Sequence, residues 1–142
     1  MVRSEILLPV AVLVAWSLVM MFWMVATRLP AMRAKGIDLK TAVGGRPGVL
    51  DGVIDERAQW KAHNYIHLME QPTLFYAIAV TLALIGQGDG LNAWLAWAYV
   101  ALRVIHSLIQ ATVNVIRYRF LAFLLSSLVL LAMTVHALIA LI

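Results

Sequence analysis

Four long apolar segments, separated by short polar connections, constrain this chain more than any other feature of its sequence. They occupy about residues 6–27, 56–86, 91–116 and 120–142. A membrane-spanning helix needs about 20 predominantly apolar residues, and the second segment becomes strongly apolar only from Thr73 onward. The pattern predicts an all-α fold, a four-helix transmembrane bundle that forms a single domain over residues 1–142.

The composition supports a membrane protein and excludes several other classes. Hydrophobic residues make up 63% of the chain and charged residues only 13%, whereas soluble domains are about half apolar and a quarter charged. A water-soluble globule and a disordered chain are therefore excluded. The sequence has no cysteine, which excludes disulfides, thiolate metal sites, iron–sulfur clusters and a cysteine nucleophile.

The basic residues indicate how the chain is oriented in the membrane. Of the 11 Lys and Arg residues, seven lie in or beside the first loop between residues 28 and 61, and Arg117 and Arg119 lie in the third loop. The second loop, residues 86–90, has none. Because Lys and Arg concentrate in cytoplasmic loops, the first and third loops are predicted to be cytoplasmic. The basic residues in these loops account for the net charge of +4, so nucleic acid is not an expected partner.

Polar side chains form one stripe on the second predicted helix and another on the third. Polar groups within a membrane are costly and mark functional positions. At 100° per residue each stripe is about 80° wide. The stripes comprise Glu56, Gln59, His63, His67 and Glu70, and Arg103, His106, Gln110, Asn114 and Arg117. At about 1.5 Å per residue from the second loop, Glu70 and His106 reach a similar depth, so Glu70 is expected to pair with Arg103 or His106.

These stripes are compatible with several kinds of site. Both open toward the basic end of the bundle, which suits an anionic, water-soluble ligand. They can also simply join two helices by hydrogen bonds, or form an ion or proton pathway. His63, His67 and Glu70 at i, i+4 and i+7 form the ligand set of a zinc or iron site, with His106 as a fourth ligand. Two arginines on the facing stripe would repel a cation, so no metal ligand is assigned.

Two sequence motifs resemble those of a known family. The segments Glu56–Arg57–Ala58, Ala62–His63–Asn64 and Glu70–Gln71–Pro72–Thr73–Leu74–Phe75 are similar to the second-helix signature of the MAPEG family, the membrane-associated proteins of eicosanoid and glutathione metabolism. Arg103–Val104–Ile105–His106–Ser107, followed by Arg117, resembles the third-helix signature. The resemblance extends over essentially the whole chain. The long glycine-containing first loop indicates a bacterial member, which implies a bacterial inner membrane with both termini periplasmic.

The resemblance implies a homotrimer that uses glutathione as co-substrate. Known members bind glutathione in a cleft between subunits, open to the cytoplasm, and some act as transferases or peroxidases on lipophilic electrophiles or lipid hydroperoxides. By position, Arg117 would stabilise the glutathione thiolate as the catalytic residue, Glu70 would contact the amino group, and Arg28 would supply a further cation. A nearby cation lowers the pKa of a thiol. The remaining predicted glutathione-binding residues are His63, His67, Arg103, His106 and Gln110.

The chain departs from the family pattern at three of these positions. Glutathione-binding members carry Arg where this chain has His63, Asn where it has His67, and Tyr where it has Gln110. Several glutathione contacts therefore differ from those of the family. A second interpretation follows, in which the chain forms a non-catalytic trimer that binds a lipid or another anion, or assists a partner protein.

Overall fold

The chain folds into a bundle of α-helices. The computed structural model describes residues 4–46 and 48–142 and contains no strand there. Its helices are α1 (Leu7–Ala34), α2 (Glu56–Leu68), α3 (Gln71–Leu84), α4 (Leu91–Thr112) and α5 (Ile116–Leu141). Two of them, α1 and α5, are long and apolar enough to cross a membrane. The predicted all-helical class is confirmed.

The second apolar segment is divided into α2 and α3. Glu70 lies between them with φ −88° and ψ −100°, outside the helical region. Pro72 lies in the first turn of α3, where its missing N–H is tolerated. The Thr73 hydroxyl donates to the Glu70 carbonyl over 2.7 Å and stabilises this start. Because the helix is interrupted, the carbonyl of His67 is open to a donor from another helix.

The third and fourth segments meet at a tight turn. Helix α4 ends at Thr112, four residues before the end of the predicted third segment. Asn114 then adopts φ 50°, a left-handed conformation that Asn accommodates better than most residues. As a result, Arg117 belongs to the first turn of α5 rather than to the polar stripe of the preceding helix.

The core lies where α4 meets the other helices. Helix α4 packs against α5, α2 and α1. Small residues such as Ala96 and Ala79 are fully buried in the core. In a membrane the hydrophobic effect does not drive helices together, so their association depends on close packing, which small residues allow. The rings of Phe75 and Tyr99 stack at 4.4 Å between α3 and α4. This packing fixes the relative position of the polar residues on α2 and α4.

The first loop is folded against the ends of α1 and α2. Leu50, Ile54 and Ala58 form a small hydrophobic cluster that packs against α1. Asp55 caps α2, its side chain accepting from the Ala58 backbone N–H over 3.1 Å. Asp51 accepts from Gln59 and contacts His63 on the same helix. The loop therefore has a defined packing, although it contains no helix of its own in the part described.

Candidate functional site

Two histidines from different helices meet inside the bundle. The rings of His67 on α2 and His106 on α4 are 4.7 Å apart and nearly perpendicular. Phe123 of α5 lies 5.7 Å from His67. A cavity of about 180 Å³ opens beside them, lined by His67, His106, Ile116, Arg119, Phe120 and Phe123. We call this cavity the histidine pocket.

A completely buried arginine supports the histidine pocket from α4. The Arg103 side chain has no exposed surface. Its Nη2 donates to the His67 carbonyl over 3.1 Å and lies 3.2 Å from His67 Nδ1. Because arginine can only donate, Nδ1 must accept, and the ring proton of a neutral His67 lies on Nε2. Nε and Nη1 of Arg103 have no hydrogen-bond partner among the described residues, so the guanidinium retains unused donors.

Glu70 adds a negative charge next to the histidine pocket. Its carboxylate lies 3.5 Å from His67 Nδ1, and its side chain is 64% exposed. This contact differs from the expected pairing with Arg103 or His106. Since Nδ1 already accepts from Arg103, the carboxylate acts here as a neighbouring charge and remains accessible to a ligand.

Arg119 is a pocket residue that was not among the predicted site residues. It lines the histidine pocket, and its Nη1 donates to Asn114 Oδ1 over 2.5 Å. The sequence contains a signal for this position, because the buried face of α5 repeats at Ala122, Ser126 and Leu130. Extending that face back by three residues reaches Arg119.

Arg117, predicted to be the catalytic residue, lies elsewhere in the single chain. It is exposed, its Nη2 donates to the Tyr118 hydroxyl over 2.9 Å, and its guanidinium lies 4.8 Å from the centre of that ring. Arg117 does not line the histidine pocket of its own chain. Its catalytic role stays a prediction.

The other predicted residues are distributed outside the histidine pocket. His63 Nε2 lies 3.0 Å from Asp51 Oδ1. Hydrogen bonds from His63 and Gln59 hold the pKa of Asp51 below its ordinary value. Gln110 is buried, and its Oε1 lacks a partner in the described part of the chain. Arg28 lines a separate groove under the first loop. The structure thus brings together His67, Glu70, Arg103 and His106.

The described part of the single chain has no ligand set for the alternative of a metal site. Within residues 4–46 and 48–142, no three His, Asp or Glu side chains are grouped so that they could hold a metal ion. His63, one of the three ligands considered, contacts Asp51 of the first loop. His67 instead contacts a guanidinium, which repels cations.

Several other buried polar groups join helices. Asn64 Nδ2 donates to Ser107 Oγ over 2.6 Å and connects α2 to α4. Gln71 Nε2 donates to Ser127 Oγ over 2.7 Å, and Gln71 Oε1 accepts from the Tyr99 hydroxyl over 3.3 Å. These contacts act as interhelical hydrogen bonds. These polar groups lie outside the two predicted stripes, and their role is structural.

The fold and the histidine pocket define a small helical membrane protein with a cationic polar site between its helices. More particularly, the chain belongs to the MAPEG family, whose model matches residues 6–139 of the 142. That family includes glutathione transferases and peroxidases. No curated protein and no solved structure matches the chain. The resemblance seen in the two helix motifs is confirmed.

Proposed function

We propose that the protein is a glutathione-dependent transferase or peroxidase acting on lipophilic electrophiles or lipid hydroperoxides. The observation that carries this proposal is the histidine pocket, where Arg119, His67 and His106 lie beside the exposed carboxylate of Glu70. Glutathione is a tripeptide with two carboxylates, an amino group and a thiol. The Glu70 carboxylate can bind the ammonium group of glutathione, and the Arg119 guanidinium can bind its negatively charged sulfur.

The chemistry requires a thiolate, which the pocket can generate and hold. The Arg119 guanidinium favours ionisation of the thiol and stabilises the negative sulfur, and the thiol proton passes to water. The sulfur then attacks the electrophile, a carbon–sulfur bond forms, and the displaced group leaves with its electron pair. With a hydroperoxide the sulfur attacks the terminal oxygen, the O–O bond breaks, and the alkoxide takes a proton. His67 donates from Nε2 to the negative charge that develops.

The proposal includes an orientation and an assembly. The basic first and third loops face the cytoplasm of a bacterial inner membrane, both termini are periplasmic, and three copies form a homotrimer. Glutathione enters from the cytoplasm and the lipophilic substrate from the bilayer. In this arrangement a cleft between subunits can bring Arg117 or Arg28 of one copy to the histidine pocket of another. Their predicted roles in binding glutathione are compatible with such a cleft.

Calorimetric titration of glutathione into the detergent-purified protein tests the proposal. We expect saturable binding by the wild type and at least tenfold weaker binding by Glu70→Gln, because a hydrogen bond between charged groups contributes about 1.5–3 kcal/mol. Glu56→Gln is the matched control, since Glu56 is an exposed carboxylate at the start of α2. Absence of heat from the wild type at millimolar glutathione would contradict the proposal.

One observation favours a second candidate, a non-catalytic trimer that binds a lipid or another anion or assists a partner. The chain has His63, His67 and Gln110 where glutathione-binding members carry Arg, Asn and Tyr. This candidate predicts no saturable glutathione binding and an apolar molecule that copurifies with the protein. Lipid extraction followed by mass spectrometry distinguishes it from the enzyme.

A further inference from the structure

A second cavity lies under the first loop. It has a volume of about 640 Å³ and is bounded by the C-terminal part of α1, the loop and α2. We call it the first-loop groove. Met24 and Ile66 contribute to its apolar wall, and Arg28, Arg46 and Tyr65 contribute its polar groups. A molecule that fills the groove must therefore combine an apolar part with a group that suits arginine.

The charges of the first-loop groove favour an anion. Among the described residues, neither Arg28 nor Arg46 has a carboxylate within ion-pair distance. Asp51 is near enough to feel the charge of Arg28. Its Oδ1, however, already accepts from Gln59 over 2.6 Å and lies 3.0 Å from His63 Nε2. Two arginines thus remain available at one groove, and guanidinium groups bind phosphate particularly well.

The exposed rim of the groove indicates where its occupant comes from. Leu39, Val43 and Val49 line the groove, yet they are 58%, 99% and 47% exposed. Clustered exposed apolar side chains beside basic residues are unfavourable in water but suit the interface of an anionic membrane. Arg28 lies in the last third of α1, which also places it near the membrane interface. A lipid of the bilayer fits this setting better than a water-soluble anion.

We infer that the first-loop groove binds an anionic phospholipid of the surrounding membrane. The lipid phosphate lies between Arg28 and Arg46, with Tyr65 as a further donor, and an acyl chain lies along Met24 and Ile66. Anionic headgroups attract basic residues at the membrane surface, and the apolar wall adds burial of the chain. Within one chain the groove shares no lining residue with the histidine pocket, although Arg28 is also a predicted glutathione contact.

Native mass spectrometry of the detergent-purified protein, titrated with phosphatidylglycerol or phosphatidylcholine, tests the inference. Arg46→Ser is the test variant, because the family resemblance already gives Arg28 a possible role with glutathione. Arg57→Ser is the matched control, since Arg57 is an exposed arginine on α2 outside the groove. We expect Arg46→Ser to weaken phosphatidylglycerol binding roughly fivefold, with phosphatidylcholine binding unchanged and Arg57→Ser similar to the wild type.

Several outcomes would overturn the inference. Phosphatidylcholine has the same phosphate but a compensating positive group, so equal binding of the two lipids by the wild type would show that the net negative charge of the headgroup is not recognised. Equal loss of binding in both variants would show that only the net charge of the protein matters. If oleate displaces phosphatidylglycerol at equimolar concentration, the occupant is a free fatty acid. If Arg46→Ser changes the number of subunits but not lipid binding, the groove is an interface between copies. Glutathione titration of Arg46→Ser, expected to match the wild type, separates this test from that of the proposed function.

Discussion

At the scale of single residues, Arg103 determines the character of the site. A guanidinium with no exposed surface is costly in a membrane unless its donors are satisfied. Its Nη2 contacts His67 at the carbonyl and at Nδ1, whereas Nε and Nη1 have no partner among the described residues. The carbonyl is accessible because the helix is interrupted after Leu68. Arg103 thus positions the His67 ring, and its predicted contact with glutathione stays a prediction.

The first prediction concerns which arginine stabilises the thiolate. We expect Arg119→Ala to reduce kcat/KM for glutathione conjugation by about 10²–10³, the usual cost of removing one group that stabilises developing negative charge. Arg117→Ala, made in parallel, should retain activity within about threefold if its position on Tyr118 in the single chain persists in the assembly. Steady-state kinetics with a model electrophile measure both. The reverse ranking would assign the thiolate to Arg117 of a neighbouring subunit.

The second prediction concerns pH and the contact between the first loop and α2. Hydrogen bonds from His63 and then Gln59 lower the pKa of Asp51 from its ordinary value of 3.8. A carboxyl with a lowered pKa in the folded state stabilises that state above its ordinary pKa, and this contribution is lost as the pH falls through the lowered value. Asp51→Asn should therefore lower the melting temperature at pH 6, and the difference should shrink as the pH falls below 3.8. A difference that grows on acidification would contradict this assignment. The control is Asp38→Asn, another loop aspartate.

Part of the site could be predicted from the sequence at this scale, and part could not. The polar stripes of the two helices face each other as their spacing predicts, because the direction of a side chain on a regular helix follows from its position. The residue that contacts His106 and Arg103 is nevertheless His67 and not the expected Glu70. His63 follows the same periodicity, but its partner Asp51 lies in a loop whose conformation no periodicity describes. Arg119 was missed because the predicted fourth segment begins at residue 120, which left Arg119 in the third loop, whereas α5 begins at Ile116.

At the scale of helices, the interruption between α2 and α3 separates two kinds of surface. Helix α2 carries the polar groups, whereas α3 is almost wholly apolar. A proline such as Pro72 is compatible with a kink. The full interruption also involves Glu70 outside the helical region and the Thr73 hydroxyl, which donates to the Glu70 carbonyl. These are local backbone and side-chain features that the periodicity of apolar residues does not predict. Gln71, at the start of α3, then bonds to both α4 and α5, so the interruption also provides an anchor.

The third prediction concerns the hydrogen bond between α2 and α4. Asn64 and Ser107 are fully buried and 2.6 Å apart at Nδ2 and Oγ. Interhelical hydrogen bonds in membrane proteins contribute about 0.6 kcal/mol on average and up to about 1.7 kcal/mol. We expect the coupling energy of Asn64→Ala and Ser107→Ala to be about 1 kcal/mol in a double-mutant cycle, measured by unfolding in mixed micelles. Additivity of the two substitutions would show that the bond contributes nothing.

At the scale of the whole molecule, the exposed Glu70 carboxylate is the feature that a single chain leaves unexplained. In the fold it lies between α2 and α3, next to the histidine pocket, with 64% of its side chain exposed. A charged group in a membrane-spanning region is expensive unless it is paired or faces a wet cavity. The neighbouring His67 Nδ1 does not satisfy it, because that nitrogen accepts from Arg103. Under the proposed function, either a second copy of the chain or a ligand covers Glu70; otherwise the carboxylate faces water.

The final prediction separates these two ways of covering Glu70. If the carboxylate faces a cleft that holds the ammonium group of glutathione, Glu70→Gln should remain trimeric by native mass spectrometry and lose only ligand binding. If it pairs with a neighbouring subunit, the same variant should dissociate toward monomers, because losing one partner of a desolvated charge pair costs about 2–5 kcal/mol at an interface. Gln has nearly the same size as Glu, so a change in the number of subunits reports the loss of charge and not a packing defect. A wild type that is monomeric in every mild detergent would contradict both, and would require Glu70 to face water in a cavity of its own chain.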